Sequence, residues 1–372
     1  MAEQAEGISA APLPVGSVVG ILGGGQLGRM TAIAANRLGF VTAVLSPCPE
    51  DPAASVAHHH ICTAFDDEKG LAKLAELSDV VTYELEQLPS DTLRWLVARV
   101  PVAPDVRILE VAQDRVREKT FLSSAGIPTA AWRAVERRND LLAALAEIGR
   151  PAVLKIAYGG YDGKGQVMLE QTTSDAEVLA AWDRLADGDD ITVIIEEKLD
   201  FECELSVIVG RSADGDKVAY DPAFNVHKKH ILDTSEVPGP FTPMVAESAK
   251  AIGLDLAEAF ELVGVLCLEL FLLPSGELRA NEIAPRPHNS GHWTLDAAHT
   301  DQFEQLVRIA CGLPLGNPGR FINARMQNII GDDIARVPDY LKMPNVKLHL
   351  YGKRDARPGR KMGHMTFLGP TR

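Results

Sequence analysis

A glycine-rich segment near the middle of the chain has the composition of a phosphate-binding loop. Lys155 is followed by the run GGYDGKGQ over residues 159–166. Glycine allows the backbone to approach a ligand closely and to direct several N–H groups at it, while the lysines add positive charge. The run lacks the Gly-Lys-Ser/Thr ending of a P-loop. The segment therefore predicts a polyphosphate site of a different type.

Two glutamates downstream have the arrangement of a magnesium site. A two-residue hairpin loop at Ser275-Gly276 places Glu269 directly opposite Glu282 on one face of a β-ribbon. Like charges in that position destabilise a sheet, so a cation beside them is favoured, and Mg²⁺ usually takes one or two carboxylates together with substrate phosphates. In the alternative register, both glutamates face solvent. The two strands of the ribbon are predicted over residues 267–272 and 277–283.

A strand that ends in two acids offers a further contact for a nucleotide. The apolar run 191–195 leads into Glu196-Glu197-Lys198-Leu199. Such an ending is typical of a strand that reaches solvent. It is equally typical of a site where backbone groups bind the edge of adenine and a carboxylate binds the ribose hydroxyls. The residues alone leave both interpretations open.

The glycine pattern near the N-terminus is weaker evidence for a nucleotide. Gly23, Gly25 and Gly28 follow a predicted strand with the spacing of the dinucleotide fingerprint. That fingerprint requires an acid at the end of the second strand, and here the first acids, Glu50 and Asp51, lie beyond two prolines. A nicotinamide oxidoreductase is therefore disfavoured. The turn can still hold a phosphate or a ribose at the start of the following helix.

Histidines and cysteines indicate no metal site. The run at residues 58–60, His-His-His, has no carboxylate or cysteine at ligand spacing, and we predict a polar loop or helix end. The five cysteines form no CxxC pair, which is typical of a reducing cytoplasm. Buried, apolar positions are expected for Cys62, Cys203, Cys267, Trp95 and Trp182.

Alternating strands and helices must position these residues. Strands at 17–22, 41–45 and 79–83, with helices at 29–38 and 67–77, predict a parallel α/β sheet in a first domain.

A long helix over residues 106–125 is predicted to lead out of that domain into a compact α+β unit of the size of a lid. Extended segments of the lid are expected at 129–135, 152–157, 166–170 and 191–196, and helices at 139–149 and 174–186. A hairpin at 202–210 and 216–221 follows, and then a helix over 243–263 with Thr242 as its N-cap.

Composition and charge exclude several classes of protein. The 372 residues predict two or three domains, and 46% hydrophobic with 24% charged residues is ordinary for a globular protein. No apolar run has the length of a membrane span, and the first residues lack the pattern of a signal peptide. The net charge of −14 argues against a nucleic-acid surface. The basic segment 347–361, with six Lys/Arg and one Asp, is either a solvated tail or a phosphate clamp.

Several motifs together resemble the ATP-grasp superfamily, and the likeness extends over residues 16–368. Within the superfamily, the chain resembles the 5-(carboxyamino)imidazole ribonucleotide synthases of purine biosynthesis. The strings that carry this likeness are GGGQLGRM at 23–30, GGYDGKGQ at 159–166, NEIAPRPHNSGHWT at 281–294 and RPGRKMGH at 357–364.

The resemblance implies a fold of mixed α/β and α+β class. An ATP-grasp fold would carry an N-terminal Rossmann-like parallel α/β domain, a small mobile lid and a short C-terminal domain. The implied boundaries are a disordered arm at 1–15, the N-terminal domain at 16–111, the ATP-grasp domain at 112–310 with its lid at 122–197, and the C-terminal domain at 311–372. The chain ends at Arg372, where many relatives continue with a further strand and helix, which bears on the completeness of the last domain.

The resemblance also implies a reaction in two stages. Bicarbonate attacks the γ-phosphate of ATP and gives carboxyphosphate, and the amine of 5-aminoimidazole ribonucleotide then captures the carboxyl group, directly or as released carbon dioxide. The products are the N-carboxylated ribonucleotide, ADP and phosphate. Phosphoryl transfer depends on positioning and charge neutralisation, and labile carboxyphosphate needs a closed site without water. ATP is thus a substrate and Mg²⁺ the implied cofactor.

Roles for individual residues follow from the same resemblance. Those implied to bind ATP are Arg115, Lys155, Gly160, Tyr161, Asp162, Gly163, Lys164, Gly165, Gln166, Glu196, Glu197, Lys198, Leu199, Glu204, His227, Asn281 and Glu282. The implied metal ligands are Glu269 and Glu282. Arg286 and His288 would hold bicarbonate and orient carboxyl transfer, and Asp162 would contact the substrate amine. The ribonucleotide would be bound by Lys353, Arg360 and Lys361 at its phosphate, by Gln26 and Leu27, and by Tyr83 and Glu84 at its ribose.

The expected partners are small molecules. A homodimer in the cytoplasm is implied, with a carboxyaminoimidazole ribonucleotide mutase as functional neighbour and no nucleic acid or membrane. The alternative activities are a formate-dependent ligase of the glycinamide ribonucleotide transformylase type, a nicotinamide oxidoreductase and a nucleotide-binding protein without catalysis.

Overall fold

The structure, a computed structural model, describes residues 7–159, 165–187 and 190–369. The chain forms two compact units. The first unit comprises Met1–Leu109, Leu205–Leu268 and Ile283–Arg372, and the second unit comprises Glu110–Glu204 and Glu269–Glu282.

A parallel sheet opens the first unit, as the alternation of apolar runs and helices predicts. Its strand order is β3-β2-β1-β4, and the pairs β3–β2, β2–β1 and β1–β4 are all parallel. The strands β1 and β2 are almost wholly buried, because helices cover both faces of such a sheet. The elements are β1 (Val18–Leu22), α1 (Gln26–Arg37), β2 (Val41–Ser46), β3 (His59–Cys62), α2 (Glu68–Leu77), β4 (Val80–Tyr83) and α3 (Ser90–Val97).

The predicted helix over 106–125 is wrong, because two helices occupy that segment. They are α4 (Val106–Ala112) and α5 (Arg115–Ser124). Asp114 lies between them in an extended conformation, and its side chain accepts hydrogen bonds from the backbone N–H groups of Val116 and Arg117. An aspartate that caps a helix in this way starts a new helix rather than continuing the old one.

The segment predicted as a lid belongs to the second unit and forms an antiparallel sheet of order β5-β8-β6-β7. Ser174 and Glu177 form a capping box at the start of α7. An apolar cluster that includes Leu154, Trp182 and Ile195 fills the space between this sheet and its helices. The elements are β5 (Trp132–Val135), a 3₁₀ turn (Arg138–Asp140), α6 (Leu141–Ile148), β6 (Ala152–Ile156), β7 (Gln166–Leu169), α7 (Asp175–Ala186) and β8 (Val193–Glu197).

A long sheet includes the remaining strands in the order β14-β13-β9-β11-β12-β15-β17-β16, with β10 paired to β9. Its strands are β9 (Cys203–Arg211), β10 (Lys217–Ala219), β11 (Ala223–Lys228), β12 (Ile231–Val237), β13 (Gly264–Leu272), β14 (Leu278–Ala284), β15 (Ala324–Ile330), β16 (Val346–Leu350) and β17 (Lys361–Leu368). The helices of this part are α8 (Pro243–Ala259), α9 (Thr294–Ala297), α10 (Gln302–Ala310) and α11 (Val337–Tyr340), with 3₁₀ turns at Asn289–Gly291 and Gly331–Arg336. Thr242 caps α8 as predicted, although the helix ends four residues earlier than expected.

The loop between β13 and β14 differs from the predicted two-residue hairpin. The N–H of Leu273 donates to Glu277 O at 2.9 Å, and the N–H of Gly276 donates to Leu273 O at 2.8 Å. Gly276 has a φ of +84°, so three residues form the loop and the last has the left-handed backbone of a bulge. A two-residue loop would need an N–H on Pro274, which proline lacks.

Other expectations about local structure also change. His59 and His60 belong to β3 at the edge of the parallel sheet instead of a loop or helix end. Cys267 and Trp182 are buried, but Cys62 is exposed, Cys203 is half-buried, and Trp95 only packs against the edge of the core.

Residues 7–15, predicted as part of a disordered arm, have apolar partners in the first unit. The side chains of Ile8 and Leu13 pack against a cluster formed by α1, α10 and the parallel sheet. The N–H of Leu13 donates to Cys311 O at 2.9 Å. Among the described residues, no helix is both long and apolar enough to cross a membrane.

Candidate active site

A buried carboxylate of the second unit lies between two lysines. Glu196, on β8, is 4% exposed. Its Oε1 lies 3.1 Å from Lys119 Nζ, and its Oε2 is in direct contact with Lys155 Nζ. Burial on its own would raise the pKa of the carboxyl, but the charges of Lys155 and Lys119 outweigh it and hold the pKa at about 2. The strand therefore does not reach solvent at Glu196, because the carboxylate of this residue is buried and ionised.

Lys119 joins this carboxylate to the ribbon that carries Glu282. Its Nζ donates to Asn281 O at 2.8 Å, and its side chain is 3% exposed. Arg115, one turn earlier on α5, has its guanidinium 3.8 Å from the Glu282 carboxylate, and its N–H donates to Ala157 O at 2.9 Å. One short helix thus contacts the lysine strand, the Glu196 strand and the β13–β14 ribbon.

The two glutamates of the ribbon are the candidate ligands for a magnesium ion that shares its coordination shell with phosphates. Glu269 is half-buried, and the Glu282 side chain is 48% exposed, so its carboxylate is accessible to a ligand. No group of three His, Cys, Asp or Glu in the described part of the chain could hold a metal alone. Because Mg²⁺ keeps waters and substrate phosphates in its shell, two carboxylates suffice. The prediction that Glu269 lies directly opposite Glu282 is not supported by the loop, because its register, continued without a further bulge, pairs Glu269 with Asn281.

The glycine-rich loop is only partly described. Gly160, Tyr161, Asp162, Gly163 and Lys164 lie outside the described residues. Gly165 O accepts from the N–H of Ile156 at 2.9 Å, and Gln166 pairs with Lys155 across β6 and β7.

The other residues implied to bind ATP differ in their exposure to solvent. Glu197 and Lys198 are exposed, while Leu199, Glu204, His227 and Asn281 are half-buried. His227 lies beside a bulge in the pairing of β11 with β12.

The glycine turn of the first unit is filled by a side chain of the protein. Glu84, which directly follows β4, accepts a hydrogen bond from the N–H of Gly25 and another from the N–H of Gly28 at 2.7 Å. Burial raises the pKa of this carboxyl, and the two N–H groups oppose the rise. The N–H groups that would bind a dinucleotide pyrophosphate therefore already have a carboxyl group of the protein as their partner. Tyr83 lies in the apolar cluster behind the turn.

The basic segment contacts the same turn. Lys353 Nζ donates to Gln26 Oε1 at 2.8 Å, which brings together two residues implied to bind the ribonucleotide. Burial and the charge of Arg360 lower the pKa of Lys353 to about 8. Arg360 donates to Asp355 O at 3.0 Å, and Lys361 begins β17. Leu27 is buried in α1. The cluster has the charge that a phosphate monoester requires.

Arg286 and His288 lie in the segment after β14. Arg286 Nη2 is 3.0 Å from Glu86 Oε1, and although burial would lower the pKa of this guanidinium, Glu86 raises it. Burial, together with the charges of Arg286 and Lys361, lowers the pKa of His288 well below its usual value. The site thus holds a fixed positive charge beside a neutral imidazole.

Sequence reasoning missed several residues that hold these groups in place, among them Lys119, Glu86 and Gln302. Lys119 and Gln302 are buried polar side chains on helices, and Glu86 is a loop acid. Their partners are distant in the sequence, so spacing alone gives no signal for them. Only the motif residues themselves, such as Lys155 and Arg286, could be recognised.

Comparison with known proteins agrees with this arrangement. Three family models match the chain: a ribonucleotide synthetase preATP-grasp domain over residues 17–113, an ATP-grasp domain over 120–303, and a phosphoribosylaminoimidazole carboxylase C-terminal domain over 324–372. An N5-carboxyaminoimidazole ribonucleotide synthase from Brucella melitensis is 48% identical over 96% of this chain and 98% of its own length. This chain belongs to the N5-carboxyaminoimidazole ribonucleotide synthase family.

Solved structures of the family agree in fold. An N5-carboxyaminoimidazole ribonucleotide synthetase in complex with ADP superposes with a TM-score of 0.91 at 42% identity, over 96% of this chain and 94% of that one. An Aspergillus clavatus member in complex with ADP and 5-aminoimidazole ribonucleotide gives 0.88 at 30% identity, over 96% and 95%. The predicted fold class and the predicted ATP-grasp ligase are confirmed.

Proposed function

We propose that this chain carboxylates the exocyclic amine of 5-aminoimidazole ribonucleotide, with ATP and bicarbonate as the other substrates. The observation that carries the proposal is the match, over 96% of this chain, to a structure that holds ADP and 5-aminoimidazole ribonucleotide. The two clusters described above support it, because each has the charge that one of these two phosphorylated ligands needs.

In the first stage, the second unit binds ATP. Lys155 would leave Glu196 for a phosphate oxygen, and Lys119 would keep Glu196 neutralised when it does so. Arg115 and the loop at 159–166 would contact the phosphates. Mg²⁺, held by Glu269 and Glu282, would neutralise charge on the phosphate oxygens when bound.

In the second stage, the amine attacks the carboxyl carbon of carboxyphosphate. A bond forms between the amine nitrogen and the carboxyl carbon, and the bond between that carbon and the oxygen that bridges to phosphorus breaks. The amine proton leaves with the phosphate as hydrogen phosphate. Arg286 would bind the carboxyl group through its fixed charge, which Glu86 keeps in place. Lys353, Arg360 and Lys361 would bind the phosphate of the ribonucleotide.

The remaining predictions concern assembly. We also propose that the protein is a homodimer in the cytoplasm. Its product, an N-carboxylated amine, would be the substrate of a mutase that moves the carboxyl group to the ring. Sedimentation of the purified protein would measure the oligomeric state.

ADP release by the purified enzyme tests the proposed function. We expect sustained ADP release only when bicarbonate and 5-aminoimidazole ribonucleotide are both present, because the first stage needs bicarbonate as the acceptor of the phosphoryl group and the second stage must consume carboxyphosphate before the site can turn over again. Lys155→Ala should lose this turnover while its circular dichroism spectrum stays that of the wild type. Turnover with formate and glycinamide ribonucleotide instead would assign the chain to the alternative ligase activity.

A further inference from the structure

A buried chain of hydrogen bonds in the first unit ends on the ring of His288. Ser235 Oγ donates to Asn225 Oδ1 at 2.7 Å, and Asn225 Nδ2 donates to Ser206 Oγ at 2.9 Å. Ser206 Oγ donates to Ser290 Oγ at 2.6 Å, and Ser290 Oγ lies 2.8 Å from His288 Nδ1. The three serines and the asparagine are each at most 5% exposed. None of these four was expected to act in the site.

The donor and the acceptor of each of these hydrogen bonds follow from the asparagine amide. An amide oxygen only accepts and an amide nitrogen only donates, so Asn225 fixes which way the bonds run. Ser206 accepts from the amide and uses its one proton for Ser290. Ser290 then has its own proton left for His288 Nδ1. Cys267 Sγ, at 4.0 Å from Ser290 Oγ, is too distant to compete with that bond.

A backbone group points to the same conclusion independently. The N–H of Ser290 donates to His288 Nδ1 at 3.4 Å, as part of the 3₁₀ turn at Asn289–Gly291 that His288 caps. A backbone N–H can only donate, so this longer contact also favours Nδ1 as an acceptor, whatever the orientation of the asparagine amide.

Both backbone polar groups of His288 are also hydrogen-bonded to one side chain. Gln302 Oε1 accepts from the N–H of His288 at 2.9 Å, and Gln302 Nε2 donates to His288 O at 2.8 Å. A Cβ on Gly291 would come within 2.6 Å of Gln302 Oε1, so glycine there leaves room for this amide. The ring therefore has a defined position as well as a defined acceptor atom.

We infer that this hydrogen-bond chain fixes His288 as the neutral tautomer with its proton on Nε2, so that His288 acts in the reaction as a hydrogen-bond donor and not as a base. The inference rests on the proposed function for what the donor binds, and on the structure alone for the tautomer. Asn225, Ser206 and Ser290 are then positioning residues. They act through His288 and need not touch the substrate.

The chemistry of carboxyl transfer agrees with a donor. As the amine attacks, negative charge develops on the carboxyl oxygens, and a preorganised N–H in a site with little water stabilises it. The amine proton goes to the departing phosphate, so the step balances without a protein base. Burial and the charges of Arg286, Lys361, His292 and His227 lower the pKa of His288, which keeps the ring neutral.

Nuclear magnetic resonance of the wild-type protein, labelled with ¹⁵N in its histidine rings, tests the tautomer without any substrate. The signals of His288 are assigned by their loss in His288→Gln. We expect Nδ1 to resonate as an unprotonated and Nε2 as a protonated ring nitrogen at pH 8. A proton on Nδ1 would overturn the inference.

Asn225→Asp tests the role of the amide. An ionised carboxylate accepts from both Ser235 and Ser206, which turns the Ser206 proton away from Ser290. We expect the Nε2-protonated population of His288 to fall relative to the wild type. Ser235→Ala is the matched control, because it removes one bond and leaves the Asn225 amide, so its spectrum should match the wild type. An unchanged spectrum in a folded Asn225→Asp variant would show that Asn225 does not determine the tautomer of His288.

Kinetics separate a donor from a base. Loss of one such donor costs about 10²–10³ in kcat, which we expect for His288→Ala. His288→Gln should retain about tenfold more activity than His288→Ala, because its side-chain amide supplies an N–H near the place of Nε2. Equal loss in both variants would support a base. If the spectrum shows the Nε2–H tautomer but the enzyme uses no bicarbonate, only the proposed function fails.

Discussion

Glu196 shows best how a single residue gains its role from distant parts of the chain. The sequence could predict that a carboxylate at the end of β8 lies near a nucleotide site. It could not predict that two lysines meet it, because Lys119 and Lys155 lie on a helix and a strand far from it in the sequence. Residues inside a motif could therefore be recognised, whereas their buried partners could not.

The ion cluster around Glu196 makes stability depend on pH. The folded pKa of about 2 lies below the usual 4.5, so the cluster stabilises the fold fully above pH 4.5 and loses this effect as the pH falls toward 2. This shift corresponds to about 3 kcal/mol at neutral pH. We expect Glu196→Gln to be less stable than the wild type in urea at pH 7, by a margin that shrinks below pH 4.5.

The neighbouring acid provides the control for that experiment. Glu197 is exposed on the same strand, and Glu197→Gln should change the free energy of unfolding little at any pH. A margin for Glu196→Gln that stays constant between pH 7 and pH 3 would contradict the assigned ion cluster.

At the level of elements, the glycine turn before α1 illustrates both the success and the failure of sequence patterns. The spacing of Gly23, Gly25 and Gly28 correctly predicts a tight turn between a strand and a helix. It does not show that Glu84 fills the turn, since any acid near the end of β4 is compatible with the pattern. The glycines are needed here to admit a carboxylate of the protein itself.

Gly25→Ala tests this role of the turn. A Cβ there would lie 2.6 Å from Glu84 Oε1, while the φ of −75° is open to alanine, so any effect comes from the clash. Displacing the carboxylate leaves buried N–H groups without a partner, which costs about 1–3 kcal/mol. We expect a lower urea midpoint and a KM for the ribonucleotide that rises more than the KM for ATP.

Gly7→Ala is the matched control, because a Cβ at Gly7 meets no atom of the described residues within 4 Å. Its urea midpoint and both KM values should equal those of the wild type. If Gly25→Ala behaves in the same way, the contact between Glu84 and the turn has no energetic importance.

Two other elements differ from expectation for local reasons that the sequence does contain. Asp114 separates α4 from α5 as an N-cap, although the apolar spacing across 106–125 resembles one helix. Pro274 rules out a two-residue hairpin loop, because it has no N–H to close the ladder. Turn and cap chemistry thus outweighs periodicity at both places.

At the scale of the whole molecule, a net charge of −14 coexists with two phosphorylated substrates. Local clusters resolve the conflict: Lys119, Lys155 and Arg115 in the second unit, and Lys353 and Arg360 in the first. The family could be predicted from four strings of sequence that together carry this chemistry. The division into units could not, since the second unit joins 110–204 to the distant ribbon 269–282.

Transfer of ¹⁸O from labelled bicarbonate to phosphate tests the central claim most directly. If bicarbonate attacks the γ-phosphate and the amine then displaces phosphate from carbon, one bicarbonate oxygen stays on phosphorus. Mass spectrometry of the products should show one ¹⁸O in each phosphate and two in the new carboxylate. Phosphate without ¹⁸O, in a reaction that still forms ADP and the carboxylated ribonucleotide, would contradict carboxyphosphate and the account built on it.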